Sequence, residues 1–236
     1  MKTPTLLTRL FLAALGAVFG AGAAAAADIA HPTVVELFQS QGCSSCPPAN
    51  ANVMALSRRP DVLALSFGVT YWDALGWKDT FASPANTARQ WDYARGLGHD
   101  NVFTPQVVVN GRKDGVGADS RELDGLVRAG DRGSGGPTLI VTRSSVTIAR
   151  GAAPRAPADV WLVRYDPRIV QVAIRRGENG GKTLPHKNVV RSLTRIGAWS
   201  GATERLPLNA PADPAWRTAI LVQGPRGGPI LAAATS

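Results

Sequence analysis

The sequence predicts an α/β domain with a mixed sheet and flanking helices over residues 28–130, then a small all-β, sandwich-like domain over residues 138–236, with a linker at 131–137. Three observations predict this. In the first half, short apolar runs alternate with helix-period segments, whereas the second half holds only short strand-like runs between Gly, Pro and Asp turns. Between them, Asp131-Arg-Gly-Ser-Gly-Gly-Pro137 suits neither helix nor strand, because Gly costs backbone entropy and Pro lacks a donor. Charge changes at the same place. Residues 28–130 carry 9 Lys+Arg against 11 Asp+Glu and residues 131–236 carry 15 against 6, so the net basicity of the mature chain lies in its second half.

Residues 1–27 read as a secretory signal peptide. Lys2 and Arg9 precede an apolar run from Leu10 to about Gly22, and Ala25-Ala26-Ala27 offers a small-residue cleavage site before Asp28. No twin-Arg pair and no cysteine at the cleavage point accompany it. The expected location is therefore periplasmic or secreted, where a cysteine pair can hold a disulfide. With 44% hydrophobic residues the chain is too apolar to be disordered, and the lack of a second long apolar run excludes a polytopic helical membrane protein. Two cysteines in 236 residues exclude a disulfide-rich scaffold and a four-thiolate zinc site, leaving one pair.

The elements of the first half follow in order. Thr33–Phe38 and Asp61–Phe67 are buried strands, with a helix-compatible stretch from Ala49 to Arg59 between them and Pro60 as its stop. Ser83-Pro84 starts a second helix, an N-cap hydroxyl followed by proline at the first helical position, and Gly98 ends it after Leu97. Pro105–Asn110 is a strand whose Asn110-Gly111 turn leads into a second strand at about Arg112–Val116. Asp119-Ser-Arg-Glu122 resembles a capping box for a third helix, with Leu123, Leu126 and Val127 at helical spacing and Gly130 as terminator. In the second half the expected strands are 137–141, 145–150, 160–165, 170–175, 189–196, 203–208, 217–223 and 230–234.

Chemistry concentrates at Gly42-Cys43-Ser44-Ser45-Cys46-Pro47, where the first strand turns into the first helix. Free N–H groups and the positive end of the helix dipole favour a thiolate at Cys43, and Cys46 is spaced to attack a mixed disulfide formed there. Cys43 is then the exposed nucleophile and Cys46 the shielded, resolving thiol. Two other readings stand beside a redox pair. A permanent staple closes so short a loop for only about 2 kcal/mol, and a zinc or copper site, with no second cysteine pair, has only His31, His99 and His186 to complete it.

Cys43-Ser-Ser-Cys46-Pro, together with Thr104-Pro105 ahead of Gln106-Val-Val-Val-Asn-Gly111, resembles the thioredoxin superfamily. The resemblance implies a cis Thr104–Pro105 bond beside the cysteine pair, and a Thr104 backbone that pairs with an extended substrate. It also implies a thioredoxin-like fold for residues 28–130. A closer resemblance spans most of the mature chain. Val34-Val-Glu-Leu-Phe-Gln-Ser-Gln-Gly-Cys-Ser-Ser-Cys-Pro-Pro48, Tyr71-Trp-Asp-Ala-Leu-Gly-Trp-Lys-Asp79, Phe103-Thr-Pro-Gln106 and Arg176-Gly-Glu-Asn-Gly-Gly-Lys-Thr-Leu-Pro-His186 are similar to secreted thioredoxin-like proteins of domain-of-unknown-function family 1223. Members commonly carry a His and an Asp just before the Tyr-Trp-Asp, where this chain has Gly68 and Thr70.

Glu36 is a carboxylate in an otherwise apolar strand, which calls for a partner or a task. Thioredoxins keep an acid in this strand to take a proton from the second cysteine, and Glu36 is the expected counterpart. Tyr71, Trp72, Asp73 and Trp77 are candidates to line a substrate groove, the alternative for the tryptophans being core packing.

No catalytic constellation stands out in the second half. Its cations are spread over many strands without the aromatic interleaving of single-strand nucleic-acid binders, so no nucleic-acid partner is expected. A solvated basic face is one reading, and attraction to an anionic envelope surface or acidic partner is the other. Arg176–Gly181 is a candidate turn packing near the cysteines. No cofactor and no metal are expected. The functional expectation is a thiol–disulfide oxidoreductase acting on protein or small-molecule thiols and disulfides, the alternative being a non-catalytic binding module with a structural disulfide.

Overall fold

The computed structural model describes residues 26–236; the expected signal peptide lies outside them but for its last two residues. The first half runs β1 (Thr33–Gln39), α1 (Cys46–Leu56), β2 (Val62–Gly68), α2 (Pro84–Leu97), β3 (Gln106–Val109), β4 (Lys113–Gly115) and α3 (Ser120–Ala129), with a 3-10 turn at Asp73–Leu75. The second half is β throughout: β5 (Leu139–Val141), β6 (Ser145–Ile148), β7 (Ala158–Asp166), β8 (Val170–Ala173), β9 (Thr183–His186), β10 (Val189–Trp199), β11 (Glu204–Pro207), β12 (Arg217–Gln223) and β13 (Ile230–Thr235).

Local chemistry sets the helix ends. Ser83 accepts a bond from the Asn86 N–H, Pro84 occupies the first turn, and Gly98 closes α2 at φ 80°. Asp119 caps α3 by accepting from the N–H groups of Arg121 and Glu122. Helix α1 begins at Cys46, earlier than the apolar pattern suggests, because Pro47 and Pro48 fit a first turn whose N–H groups have no helical partner. This early start puts Cys46 itself in the helix.

One eight-stranded sheet, in the order β13-β12-β7-β10-β2-β1-β3-β4, runs through both halves. β1 and β2 are parallel from Thr33↔Val62 to Gln39↔Gly68, β3 and β4 add antiparallel beyond β1, and β10 joins β2 in parallel at Val189↔Ser66. Residues 138–236 therefore do not form a separate sandwich: β7, β10, β12 and β13 continue the sheet of the first half. The physical reason lies at β2, a fully buried strand whose second edge needs a partner. Asn188 supplies it, its carbonyl accepting from the Ser66 N–H and its side chain donating to the Ala64 carbonyl.

The expected linker is packed as well. Arg132 donates to the carbonyls of Pro32, Gly135 and Leu231, and Gly136, at φ 109°, presses against the Leu231 carbonyl where no Cβ would fit. Sandwich-like packing does occur within this plan. The three-stranded sheet β11-β6-β5 buries Val146 and Ile148 against Val160, Ile220 and Val222 of the large sheet.

Alternation along β1 sorts the two faces around the site. Val35 and Leu37 pack with Ala49, Val53 and Leu56 of α1, whereas Val34 and Phe38 face Tyr93 of α2. Gln39, in phase with Val35 and Leu37, therefore points to the α1 side, and Glu36 to the α2 side.

Candidate functional site

Cys43 and Cys46 are joined in a disulfide, their Cα atoms 5.4 Å apart, at the mouth of α1. The turn is internally tied, since the Cys43 N–H donates to the Ser40 carbonyl and the Cys46 N–H to the Cys43 carbonyl. Thr104–Pro105 is a cis peptide bond. Trp72 links this loop to the cysteine turn: its indole N–H donates to the Thr104 hydroxyl at 2.7 Å, and its Cβ lies 3.8 Å from where a side chain on Gly42 would begin. Gln90 of α2 fixes the loop from behind, donating to the Phe103 carbonyl and the Gln106 side chain.

The other candidates in this stretch serve the loop around the turn. The half-exposed Tyr71 donates to Gln90 Oε1, and Asp73 accepts from the Asp79 N–H. Trp77 donates to Gln41 Oε1, and Gln41 in turn donates its N–H to Asp79 at 2.7 Å. Burial holds the Asp79 carboxyl above its ordinary range, against the opposing pull of the Gln41 and Phe81 N–H groups. Gly68 has a physical reason in this chain. A Cβ there would meet the Phe81 backbone carbon at 2.7 Å, so a His at this position requires the 81–82 segment to lie elsewhere.

Two expectations are corrected by this geometry. Cys43 is not the exposed member, since Cys43 and Cys46 are 1% and 2% exposed. The cover comes from the loop between β8 and β9. Asn179, fully buried, donates to the carbonyls of Gln41 at 2.9 Å and Cys43 at 2.8 Å. Glu178 accepts from both the N–H and the hydroxyl of Ser44, and the Ser44 hydroxyl, ahead of its N–H, holds the carboxyl below its usual range. Gly177 and Gly181, at φ 76° and 84°, give the loop the turns it needs. The Arg176–Gly181 turn thus packs directly on the cysteine turn.

Glu36 is the second correction. It faces α2, away from α1 and the cysteines, and forms a bidentate pair with Arg89 at 2.7 and 3.1 Å while accepting from the Tyr93 hydroxyl. A proton-transfer role toward Cys46 does not fit that position. Alternation on β1 held the signal for this, because Glu36 is out of phase with the side chains that meet α1.

The residue of β1 that does reach the cysteine side is Gln39. Its Nε2 donates to Asn50 Oδ1 at 3.1 Å and Ser66 Oγ, and lies 3.5 Å from His186 Nδ1. Asn50, one turn beyond Cys46 on α1, donates to the Pro185 carbonyl at 2.7 Å and so pins β9 to the helix. His186 is 3% exposed and stacks edge-on against Phe81; burial lowers its pKa to about 4 and its Nε2 has no partner. Among the described residues no three His, Cys, Asp or Glu side chains gather in a metal-holding group.

A family model described as a protein of unknown function (DUF1223) matches residues 34–223. The chain is similar to the crystal structure of protein AGR_C_4864 from Agrobacterium tumefaciens, with 33% identity, a TM-score of 0.70 and coverage of 86% of this chain and 92% of that one. It is also similar in fold to HBP35 of Porphyromonas gingivalis, with a TM-score of 0.62 at 13% identity over 89% of this chain and 76% of that one. No curated protein matches the chain.

Proposed function

The chain belongs to the DUF1223 family, and within it we propose an exported, thioredoxin-like thiol–disulfide oxidoreductase that uses Cys43 and Cys46 on protein or small-molecule thiols and disulfides. One observation carries the reading: a Cys-x-x-Cys disulfide at a helix mouth, tied through Trp72 to the Thr104–Pro105 loop. A substrate thiolate attacks the Cys43 sulfur, a new substrate–Cys43 disulfide forms, and Cys46 leaves as a thiolate. A second substrate thiolate releases Cys43, so two electrons pass from two thiols to the protein; the reverse sequence reduces a substrate disulfide. The α1 mouth favours the thiolate forms through its free N–H groups and dipole. Glu178 occupies the Ser44 N–H, so it opposes a thiolate beside it and must withdraw for a substrate to approach from that side. Thr104 is the proposed backbone partner of an extended substrate.

A second reading has its own observation. Both cysteines are buried beneath Asn179, as in a structural disulfide within a binding module. Serine variants separate the two. In an oxidising compartment Cys46→Ser is expected to accumulate mixed disulfides through Cys43, and Cys43→Ser is not, because only the resolving thiol clears the intermediate. Covalent partners are read on non-reducing gels and by mass spectrometry. Their absence from abundant Cys46→Ser protein supports the structural reading.

For the basic second half we propose attraction to an anionic envelope surface, supported by 15 Lys+Arg against 6 Asp+Glu in residues 131–236. The full mature chain is expected to co-sediment with phosphatidylglycerol vesicles at 0.01 M salt and to be released at high salt, as the Debye length falls from about 30 to 3 Å at 1 M. Protein that stays in solution at low salt contradicts this. Among the described residues no helix is long and apolar enough to cross a membrane.

A further inference from the structure

A cavity of about 180 Å³ lies between the Cys46 face of α1 and strand β9. Pro47, Ala51, Leu184 and Pro185 supply apolar wall, and Cys46 and His186 both border it. We infer that this cavity is a subsite for the uncharged, apolar substituent of a thiol or disulfide substrate, with the unpartnered His186 Nε2 to hydrogen-bond one polar atom of that substituent. The inference rests on the oxidoreductase reading and names the substrate class of that site.

The polar inventory of the wall favours this occupant. Gln39 donates to Asn50 and Ser66, Asn50 donates to Pro185, and the Ser40 hydroxyl accepts from the Gly42 N–H. These groups are engaged with each other. His186 Nε2 is the exception, buried and without a partner. Both Gln39 amide protons go to Asn50 and Ser66, so Gln39 does not fix the His186 tautomer, and the unpartnered Nε2 is open to a hydrogen bond from or to a bound group. Burial lowers the imidazole pKa to about 4, so the ring is neutral at the pH of the periplasm, and no wall residue is a carboxylate, lysine or arginine. A charged substituent is stripped of water there without a counter-ion, whereas an apolar one gains by leaving water. The size is adequate for a ring, since apolar cavities of roughly 150 Å³ accept benzene.

The step is ordinary exchange. The thiolate of the bound substrate forms a bond to one sulfur of the Cys43–Cys46 pair as the S–S bond breaks, and the other sulfur leaves as a thiolate; a second thiol completes the two-electron reduction.

The test uses the full mature chain with its disulfide formed and four thiols: benzyl mercaptan, 2-mercaptoethanol, anionic 2-mercaptoethanesulfonate and cationic cysteamine. Rates of opening the pair are corrected to thiolate concentration and divided by the rate of the same thiol with a small peptide disulfide. Benzyl mercaptan is expected to exceed both charged thiols by about tenfold or more, the preference that 1.4 kcal/mol of differential binding gives. Ala51→Leu, an exposed position on α1 that narrows the cavity without touching the core, is expected to bring that ratio toward one. Equal corrected rates in the wild type, or a ratio unmoved by Ala51→Leu, overturn the subsite and leave the oxidoreductase reading standing. Failure of all four thiols to open a pair that a phosphine reduces removes the oxidoreductase reading, and the subsite with it.

Discussion

Glu36→Ala is expected to destabilise the protein by about 3–5 kcal/mol, the cost of removing one partner of a buried ion pair. Glu36 is fully buried and Arg89 nearly so, with side-chain exposures of 0% and 3%. Burial alone would lower the Arg89 pKa, but Glu36 and Tyr93 outweigh it and hold the guanidinium firmly charged. Without Glu36 that charge keeps the rings of Phe67, Tyr93 and Trp161, each 5.0–5.8 Å from the guanidinium carbon, the Tyr93 hydroxyl and the weaker pull of Asp92, with no carboxylate bonded to it. Ring faces recover a small part of the loss. Because the cluster joins β1, β2, α2 and β7, the loss is expected to lower a single urea midpoint shared by both halves of the chain. A change below about 1 kcal/mol contradicts the account of this pair. Since Glu36 faces away from α1, the thiolate-corrected exchange rate of the folded variant should match that of the wild type.

Acidification is expected to weaken the fold through His186. Its folded-state pKa is about 4 against an ordinary 6.5, so between these values the unfolded chain binds a proton that the folded protein does not. Stability attributable to His186 is fully present above pH 6.5 and is lost as pH falls toward 4, by about 3 kcal/mol in all. Asp79 works in the opposite sense. Its carboxyl is held above the ordinary range by burial, so its ionised form burdens the fold at neutral pH and protonation relieves it. The difference between wild type and His186→Phe isolates the histidine. Urea midpoints measured from pH 7 to pH 4 should fall more steeply in the wild type, and parallel profiles contradict the burial of a neutral imidazole.

The elements legible in the sequence were those whose signal is local. Ser83-Pro84 and Gly98 bound α2, Asp119 caps α3, and Asn110-Gly111 turns β3 into β4. Strand β9 was missed, because Thr183-Leu-Pro-His186 is short and holds a proline, and it pairs only with β8 at the rim of the fold. The break at 131–137 was read as a linker from its glycines, yet those glycines allow Gly136 to lie against Leu231. Joining the halves through Asn188 and β2 is a long-range pairing that no periodicity reveals. At the site, the cysteine turn and Thr104-Pro105 were legible as a pattern. The Arg176–Gly181 turn was legible as a candidate neighbour of the cysteines, but the bonds of Glu178 and Asn179 and the burial of His186 were not, because they come from a hairpin some 135 residues away in sequence. The long Arg176–His186 motif was the available signal that this stretch meets the first half.

The reduction potential of the Cys43–Cys46 pair tests the central claim most directly. Oxidised protein is equilibrated against glutathione or dithiothreitol buffers of known potential, and the fraction of free thiol is read by alkylation and mass spectrometry. A structural disulfide in an exported protein typically lies below about −300 mV, whereas exchange catalysts lie well above it, between about −270 and −120 mV. The account predicts a value in the upper range, set by the helix mouth and moderated by Glu178 on Ser44. A value below about −300 mV contradicts it and makes the pair a staple.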